Sequence, residues 1–135
     1  MEAYVMDAFS TRLFGGNQAG VALPEHPLDD GVMQQIAAEF KHSETAFAAV
    51  EPDGSVTLRY FTPAGEVELC GHATIAAFAL LRALGRIGDG TVTAASFWTA
   101  CSRVSWSRTG IMISARPVET MAGSNPSGQS AGVRP

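Results

Sequence analysis

The sequence predicts an α+β or mixed α/β half-domain, and three observations predict it. Short runs of β-branched, aromatic and small apolar residues are separated by turn residues, and two longer stretches keep helical spacing instead. The order along the chain is strand, strand, helix, hairpin, strand, helix. Hydrophobic residues make up 46% of the 135 positions and charged residues 16%, enough apolar material for one core and too little charge for a disordered chain.

Each element follows from its residues. Ala3 to Ala8 is a mostly apolar run suited to a strand. Gly15-Gly16-Asn17 is turn chemistry, and Val21 to Leu23 forms a second short strand ended by Pro24. Asp29 or Asp30 caps a helix in which Met33, Ile36, Ala37 and Phe40 recur at helical spacing. Thr45 to Val50 and Val56 to Phe61 are strand-like, and Asp53-Gly54 between them signals a hairpin turn. Val67 to Leu69 is a short strand leading into Gly71. Thr74 to Leu84 reads as a buried helix stopped at Gly85, with Ala73, Ile75, Ala76, Phe78, Ala79, Leu80 and Leu81 expected inside. Val92 begins another strand, and the readable pattern stops there.

Composition changes near residue 95. Residues 1–95 hold 12 Asp+Glu and 5 Lys+Arg, a net of −7; residues 96–135 hold 1 and 4, a net of +3, which together give the overall −4. Three serines precede the seam and eight follow it, and both tryptophans, Trp98 and Trp106, lie after it. The stretch from Gly123 to Pro135 has few large apolar groups to offset an ordering cost of about 1–2 kcal/mol per residue. The expected organisation is a half-domain over 1–95 and a divergent, disordered or frame-shifted tail over 96–135.

Several function classes are excluded. A mildly acidic chain repels phosphate backbones, so nucleic-acid binding is not indicated. No apolar run approaches the roughly 20 residues of a membrane helix, and no signal peptide is visible at the N-terminus. Cys70 and Cys101 make no disulfide framework, so a reduced cytoplasmic setting is expected.

Three clusters carry candidate chemistry. In Phe14-Gly15-Gly16-Asn17-Gln18-Ala19-Gly20-Val21 the glycines permit close backbone approach, either to a ligand or simply within a tight turn. The string is neither a Walker loop nor the Gly-x-Gly-x-x-Gly dinucleotide pattern. In His42-Ser43-Glu44-Thr45-Ala46-Phe47, Glu44 starts an otherwise apolar strand. It sits either at a solvated strand end or in a desolvated position, where a raised pKa would make a general acid/base. His42 and Ser43 also read as connector residues.

The third cluster, Glu66-Val67-Glu68-Leu69-Cys70-Gly71-His72-Ala73-Thr74, puts a small-residue turn at a helix N-terminus. The first N–H groups of a helix lack internal partners and suit a substrate carboxylate. There the dipole favours neutral imidazole at His72 and can activate the thiol of Cys70, while a capped helix with a structural cysteine reads the residues equally well. His26, His42 and His72 show no metal-ligand spacing and no Cys-x-x-Cys is present, so no metal is expected.

Together the clusters resemble the PhzF (phenazine-biosynthesis) family. The matching strings are Asp7-Ala8-Phe9, Phe14 to Val21, Met33-Gln34-Gln35-Ile36-Ala37 with Glu39, Ser43 to Phe47, Arg59-Tyr60-Phe61-Thr62-Pro63 and Glu66 to Thr74. They stand in the family's order over about residues 3 to 92. The resemblance implies a diaminopimelate epimerase-like fold of two α/β halves. Each half is a mixed sheet wrapped around a central helix, here Gly71 to Leu84, with the active site between the halves. It implies a proton-shift isomerase acting on a small carboxylated metabolite without a cofactor. Glu44 would move the proton; Gly71, His72 and Ser43 would bind substrate; Cys70 and Asn17 would be secondary site residues. The related epimerases use a cysteine pair, and Cys70 lies near the first such position. A complete member is about twice this length, so the chain is expected to be a truncated half-enzyme, an inactive remnant, or a half that pairs with itself as a homodimer.

Overall fold

The computed structural model describes residues 1–88 and, as backbone only, strands within 91–96, 102–105 and 114–118. The element order is β1 (Glu2–Ala8), β2 (Asn17–Leu23), α1 (Asp30–Phe40), β3 (Thr45–Val50), β4 (Val56–Thr62), β5 (Gly65–Val67), α2 (Gly71–Ala83), β6 (Thr91–Ser96), β7 (Ser102–Ser105) and β8 (Ser114–Val118). The strands form one mixed sheet in the order β7-β6-β4-β3-β2-β1-β8. The β2–β3 and β4–β6 pairs are parallel. The short β5 shares one edge of β4 with β6, pairing Tyr60–Thr62 while β6 pairs Val56–Leu58. Beyond residue 95, β7 and β8 extend the two edges of the sheet. The rest of 96–135 lies outside the described residues, and with it the expectation of a divergent tail.

Alternation along the strands assigns each helix a face. Ala19, Val21 and Leu23 of β2, Ala46 and Ala48 of β3, and Val56, Leu58 and Tyr60 of β4 join the core around α2. Ala22, Phe47 and Phe61 point the other way, to Met33 and Ala37 of α1. The α2 core is much the larger, and alanines on both sides of the contact let helix and sheet approach closely. Ala73, Ala76, Ala77, Phe78, Leu80 and Leu81 are buried. Ile75 and Ala79, expected inside, are only partly covered, because they flank the stripe that meets the sheet.

Several boundaries differ from the sequence reading. β2 starts at Asn17, because all seven of its residues pair with β1 from Ala8↔Asn17 to Glu2↔Leu23. Gly20 within it is a packing requirement: a Cβ there would meet Thr45 Oγ1 at 2.8 Å and Phe40 Cδ2 at 3.0 Å. The short strand expected at 67–69 is β5 at 65–67. Thr62 Oγ1 accepts the N–H groups of Ala64 (3.2 Å) and Gly65 (3.1 Å), which closes the turn early. Helix α2 ends in a left-handed Gly85 (φ +70°), with Gly85 N–H donating to Arg82 O and Arg86 N–H to Leu81 O. No helix among the described residues is long and apolar enough to cross a membrane.

Candidate active site

The site forms where β3 begins and α2 begins. Gly20 N–H donates to the main-chain oxygen of Glu44 (3.0 Å), one step before the parallel pair Gly20↔Thr45. This bond fixes Glu44 at the mouth of the β2–β3 ladder. Its position in the alternation matches Ala46 and Ala48, which face α2. The carboxylate is therefore directed at the start of that helix rather than at α1.

The start of α2 is held to the sheet by a short relay. Cys70 O accepts both the N–H (2.9 Å) and the hydroxyl (2.7 Å) of Thr74. The same hydroxyl lies 2.6 Å from the phenol of Tyr60 on β4. Tyr60 pairs with Ala46 of β3, two residues from Glu44. The relay thus sets the distance from Glu44 to the helix N-terminus. Burial pushes the Tyr60 phenol above its ordinary range, which keeps it a neutral partner for Thr74. The sequence reading gave Tyr60 and Thr74 no role.

Three side chains converge. His72 Nε2 stands 3.3 Å from Glu44 Oε2, and His72 Nδ1 stands 3.2 Å from Cys70 Sγ. The Glu44 and His72 side chains keep 24% and 13% of their accessible surface, so both remain partly open to solvent. Glu44 Oε2 itself is buried and accepts no well-formed hydrogen bond among the described residues. The carboxylate is neither at a fully solvated strand end nor sealed in the core.

Cys70 is buried. Burial pushes its thiol pKa up; the N–H groups of Ala73 and His72 pull it down, and the nearby Glu44 charge pushes it up again. The net direction is upward, so near neutral pH the sulfur is a thiol. The N–H groups act on Sγ by proximity without closing a capping hydrogen bond of full geometry.

The remaining sequence candidates surround this cluster. Gly71 is the first residue of α2, exposed, with open space where a Cβ would stand. Ser43 is exposed beside Glu44, and Asn17 is exposed at the first rung of β2, at the same end of the sheet. The structure brings Glu44, Cys70 and His72 into contact and leaves Ser43 and Asn17 on the rim. Apolar side chains crown this end, with Phe9, Leu13, Phe14 and Leu69 all at least half exposed. A cavity of about 500 Å³ lies elsewhere, at the far end of β3 beside the Pro24–Leu28 loop, and Glu44 takes no part in it.

Comparison with known proteins bears on this arrangement. The sequence pattern of the PhzC-PhzF phenazine biosynthesis-like proteins matches residues 6–104. The chain is 46% identical over 91 residues to the uncharacterized isomerase YddE of Escherichia coli O157:H7, covering 67% of this chain and 31% of that protein. It is 47% identical over 85 residues to a phenazine biosynthesis-like domain-containing protein of Homo sapiens, 58% of this chain and 30% of the relative. Among solved structures, a PhzF-family phenazine biosynthesis protein of Enterococcus faecalis matches with a TM-score of 0.72 and 38% identity, over 79% of this chain and 41% of that one. A predicted epimerase of Pseudomonas aeruginosa matches with a TM-score of 0.64 and 27% identity, over 84% and 41%. The fold is thus diaminopimelate epimerase-like, and the chain spans less than a third of the length of these two curated relatives.

Proposed function

The chain belongs to the phenazine biosynthesis-like PhzC/PhzF family, and from that premise we propose that its Glu44 cleft is one wall of an isomerase site that shifts a proton within a small carboxylated metabolite. The isomerase names of its relatives support the reaction class. The observation that carries the reading is the meeting of Glu44 and His72 at 3.3 Å in front of a helix N-terminus.

The chemistry follows from the positions. Glu44 takes a proton from a carbon next to the substrate's unsaturated or carboxylated centre. The C–H bond electrons move into the conjugated system, and the O–H of Glu44 then returns the proton at a second carbon. Charge that builds on the substrate oxygens meets His72 and the N-terminal N–H groups of α2, where the helix dipole favours anions. No external oxidant, reductant or co-substrate enters the balance. Cys70 stays protonated and does not carry the transferred proton. Ser43 and Asn17 contact substrate from the rim.

A second family-type half supplies the opposite wall in this reading. The experiment joins residues 1–95 to such a half and incubates the protein in D₂O with a panel of small unsaturated and saturated carboxylic acids. Deuterium entering carbon, read by NMR, reports the proton shift. Glu44→Gln keeps the size of the side chain and removes the proton carrier, so incorporation should fall at least about 10²-fold. Incorporation that is unchanged in Glu44→Gln and abolished by Cys70→Ser would transfer the role to the thiol.

A further inference from the structure

We propose that Glu44, Cys70 and His72 form a binding site for one soft divalent cation of the Zn²⁺ class, and that the ion competes with the proton chemistry assigned to Glu44. The sequence argued against a metal because His26, His42 and His72 show no ligand spacing and no Cys-x-x-Cys is present; the donors proposed here come from separate segments. Glu44 comes from the mouth of β3, and the other two flank the first residue of α2. Folding brings one oxygen, one sulfur and one imidazole nitrogen to within 4.8 Å of one another.

Two of the three edges come near those of a tetrahedral site, and the Glu44–Cys70 edge, within 4.8 Å, closes as the ion draws the side chains in. Zinc bonds of about 2.0–2.3 Å to O, N and S place neighbouring donors about 3.3–3.6 Å apart. His72 Nε2 lies 3.3 Å from Glu44 Oε2, which already matches an oxygen–nitrogen edge. It lies 4.0 Å from Cys70 Sγ, so that edge needs a contraction of only a few tenths of an ångström. The chemistry of the donors is equally selective. A thiol, an imidazole and a carboxylate together suit Zn²⁺ or Co²⁺ and ill suit Mg²⁺ or Ca²⁺, which prefer all-oxygen cages.

A second observation points to an electrophile at this place. Among the described residues Glu44 Oε2 is buried and lacks a well-formed hydrogen bond, although it faces His72 Nε2 at 3.3 Å. Binding is balanced by the loss of one proton: the Cys70 S–H bond breaks, a sulfur–metal bond forms, and the proton leaves to solvent. The N–H groups of Ala73 and His72 that lie against Sγ then stabilise the thiolate. A fourth position stays open to water or to a substrate carboxylate. The competition with catalysis rests on the isomerase reading; the site itself does not.

Zn²⁺ and Co²⁺ alone are the probes, added to the full 135-residue chain. The expected result is one ion per chain by calorimetry. Co²⁺ should develop the thiolate-to-cobalt charge-transfer band and the visible spectrum of a tetrahedral ion. Cys70→Ser should abolish the charge-transfer band. Glu44→Gln and His72→Ala should each weaken Zn²⁺ binding at least tenfold, and His26→Ala, a residue lining the other cavity, should leave it unchanged. Binding that survives Cys70→Ser at full strength, a Co²⁺ spectrum without charge transfer, or no saturable binding below about 1 mM would each overturn the proposal. None of these readouts needs turnover: a joined two-half protein without deuterium incorporation would sink the isomerase reading, and Co²⁺ binding through Cys70 in the 135-residue chain would leave the metal site standing.

Discussion

The two faces of the sheet each carry a cluster of charged residues, and the two clusters are built in opposite ways. On the α1 face, Arg59 donates to both oxygens of Glu66 at 2.7 Å and to Asp30 at 2.7 Å, and its guanidinium lies 5.3 Å from the centre of the Phe61 ring. Opposite charges and fork geometry hold that arginine firmly in its charged form. On the α2 face, Glu44 meets His72 at 3.3 Å, keeps a buried oxygen without a well-formed hydrogen bond among the described residues, and sits near a neutral thiol. A saturated network fixes β4, β5 and α1 together. An unsaturated one retains the capacity to bind a proton, a metal or a substrate. A carboxylate near the surface of a sheet therefore does not mark a site by itself; the slack around it does.

The sharpest test of this contrast is to make the same substitution in both clusters. Glu44→Gln in the joined two-half protein should lower deuterium incorporation at least about 10²-fold, with folding intact by circular dichroism. Glu66→Gln should leave the rate within a few-fold and act on stability instead. Equal kinetic losses from the two substitutions would dissolve the distinction between the faces.

The next effect is on the cores behind the two clusters. Phe78 is fully buried in the α2 cluster. Phe78→Ala should cost about 3–5 kcal/mol, the usual range for a buried aromatic. A core of this size has little more than that in hand, so loss of cooperative unfolding is the expected outcome. On the α1 side, Phe47 and Phe61 form an edge-on pair with centroids 5.5 Å apart in a smaller cluster. Phe47→Ala should be tolerated better. A Phe78→Ala chain that still melts cooperatively in a thermal scan would deny α2 its central place.

Arg59→Ala is expected to act more weakly. It removes charge-assisted hydrogen bonds, two of them to a Glu66 side chain that keeps only 19% of its surface, and should cost about 1–3 kcal/mol. Arg59→Lys keeps the charge but not the fork, and should recover only part of the loss in urea titrations. Full recovery by lysine would show that charge alone holds the α1 face.

Much of this architecture was legible in the residues, and the exceptions have physical reasons. The Asp53-Gly54 turn was readable because the aspartate bonds its own loop, with Oδ1 accepting Ser55 N–H at 2.9 Å. The first half of β2 was hidden because Gln18, Ala19 and Gly20 lack strand character; Gly20 is small to let Thr45 and Phe40 close in. The identity of Glu44 came from matching strings. Its direction was readable in principle from its even spacing with Ala46 and Ala48, which places it on the α2 face. The Tyr60–Thr74 link that sets the Glu44–His72 distance was not, since it depends on strand register and helix start together. Nor was the convergence on Cys70, whose partner Glu44 lies in a different element.

The smallest expected effect concerns that thiol, and it distinguishes a buried spectator from an activated nucleophile. Burial is the largest influence on Cys70 and raises its pKa; Glu44 adds to the rise, while the N–H groups of Ala73 and His72 oppose it. At pH 7 the thiolate fraction should therefore be smaller in the folded chain than in the urea-unfolded chain, where a thiol titrates near about 8.5. Iodoacetamide should modify Cys70 more slowly in the folded protein, with the rate climbing only as pH passes the ordinary thiol range. Peptide mapping by mass spectrometry separates Cys70 from Cys101. The sign for stability follows from the same shift. The folded chain holds its proton to higher pH than the unfolded chain does, so this group's contribution is complete below about pH 8.5 and is lost as pH rises through the folded value. Glu44→Gln removes one of the influences that raise the pKa and should speed the alkylation. Alkylation of folded Cys70 at pH 7 that outpaces the unfolded chain would reverse the sign, make the cysteine an activated nucleophile, and place it on an equal footing with Glu44.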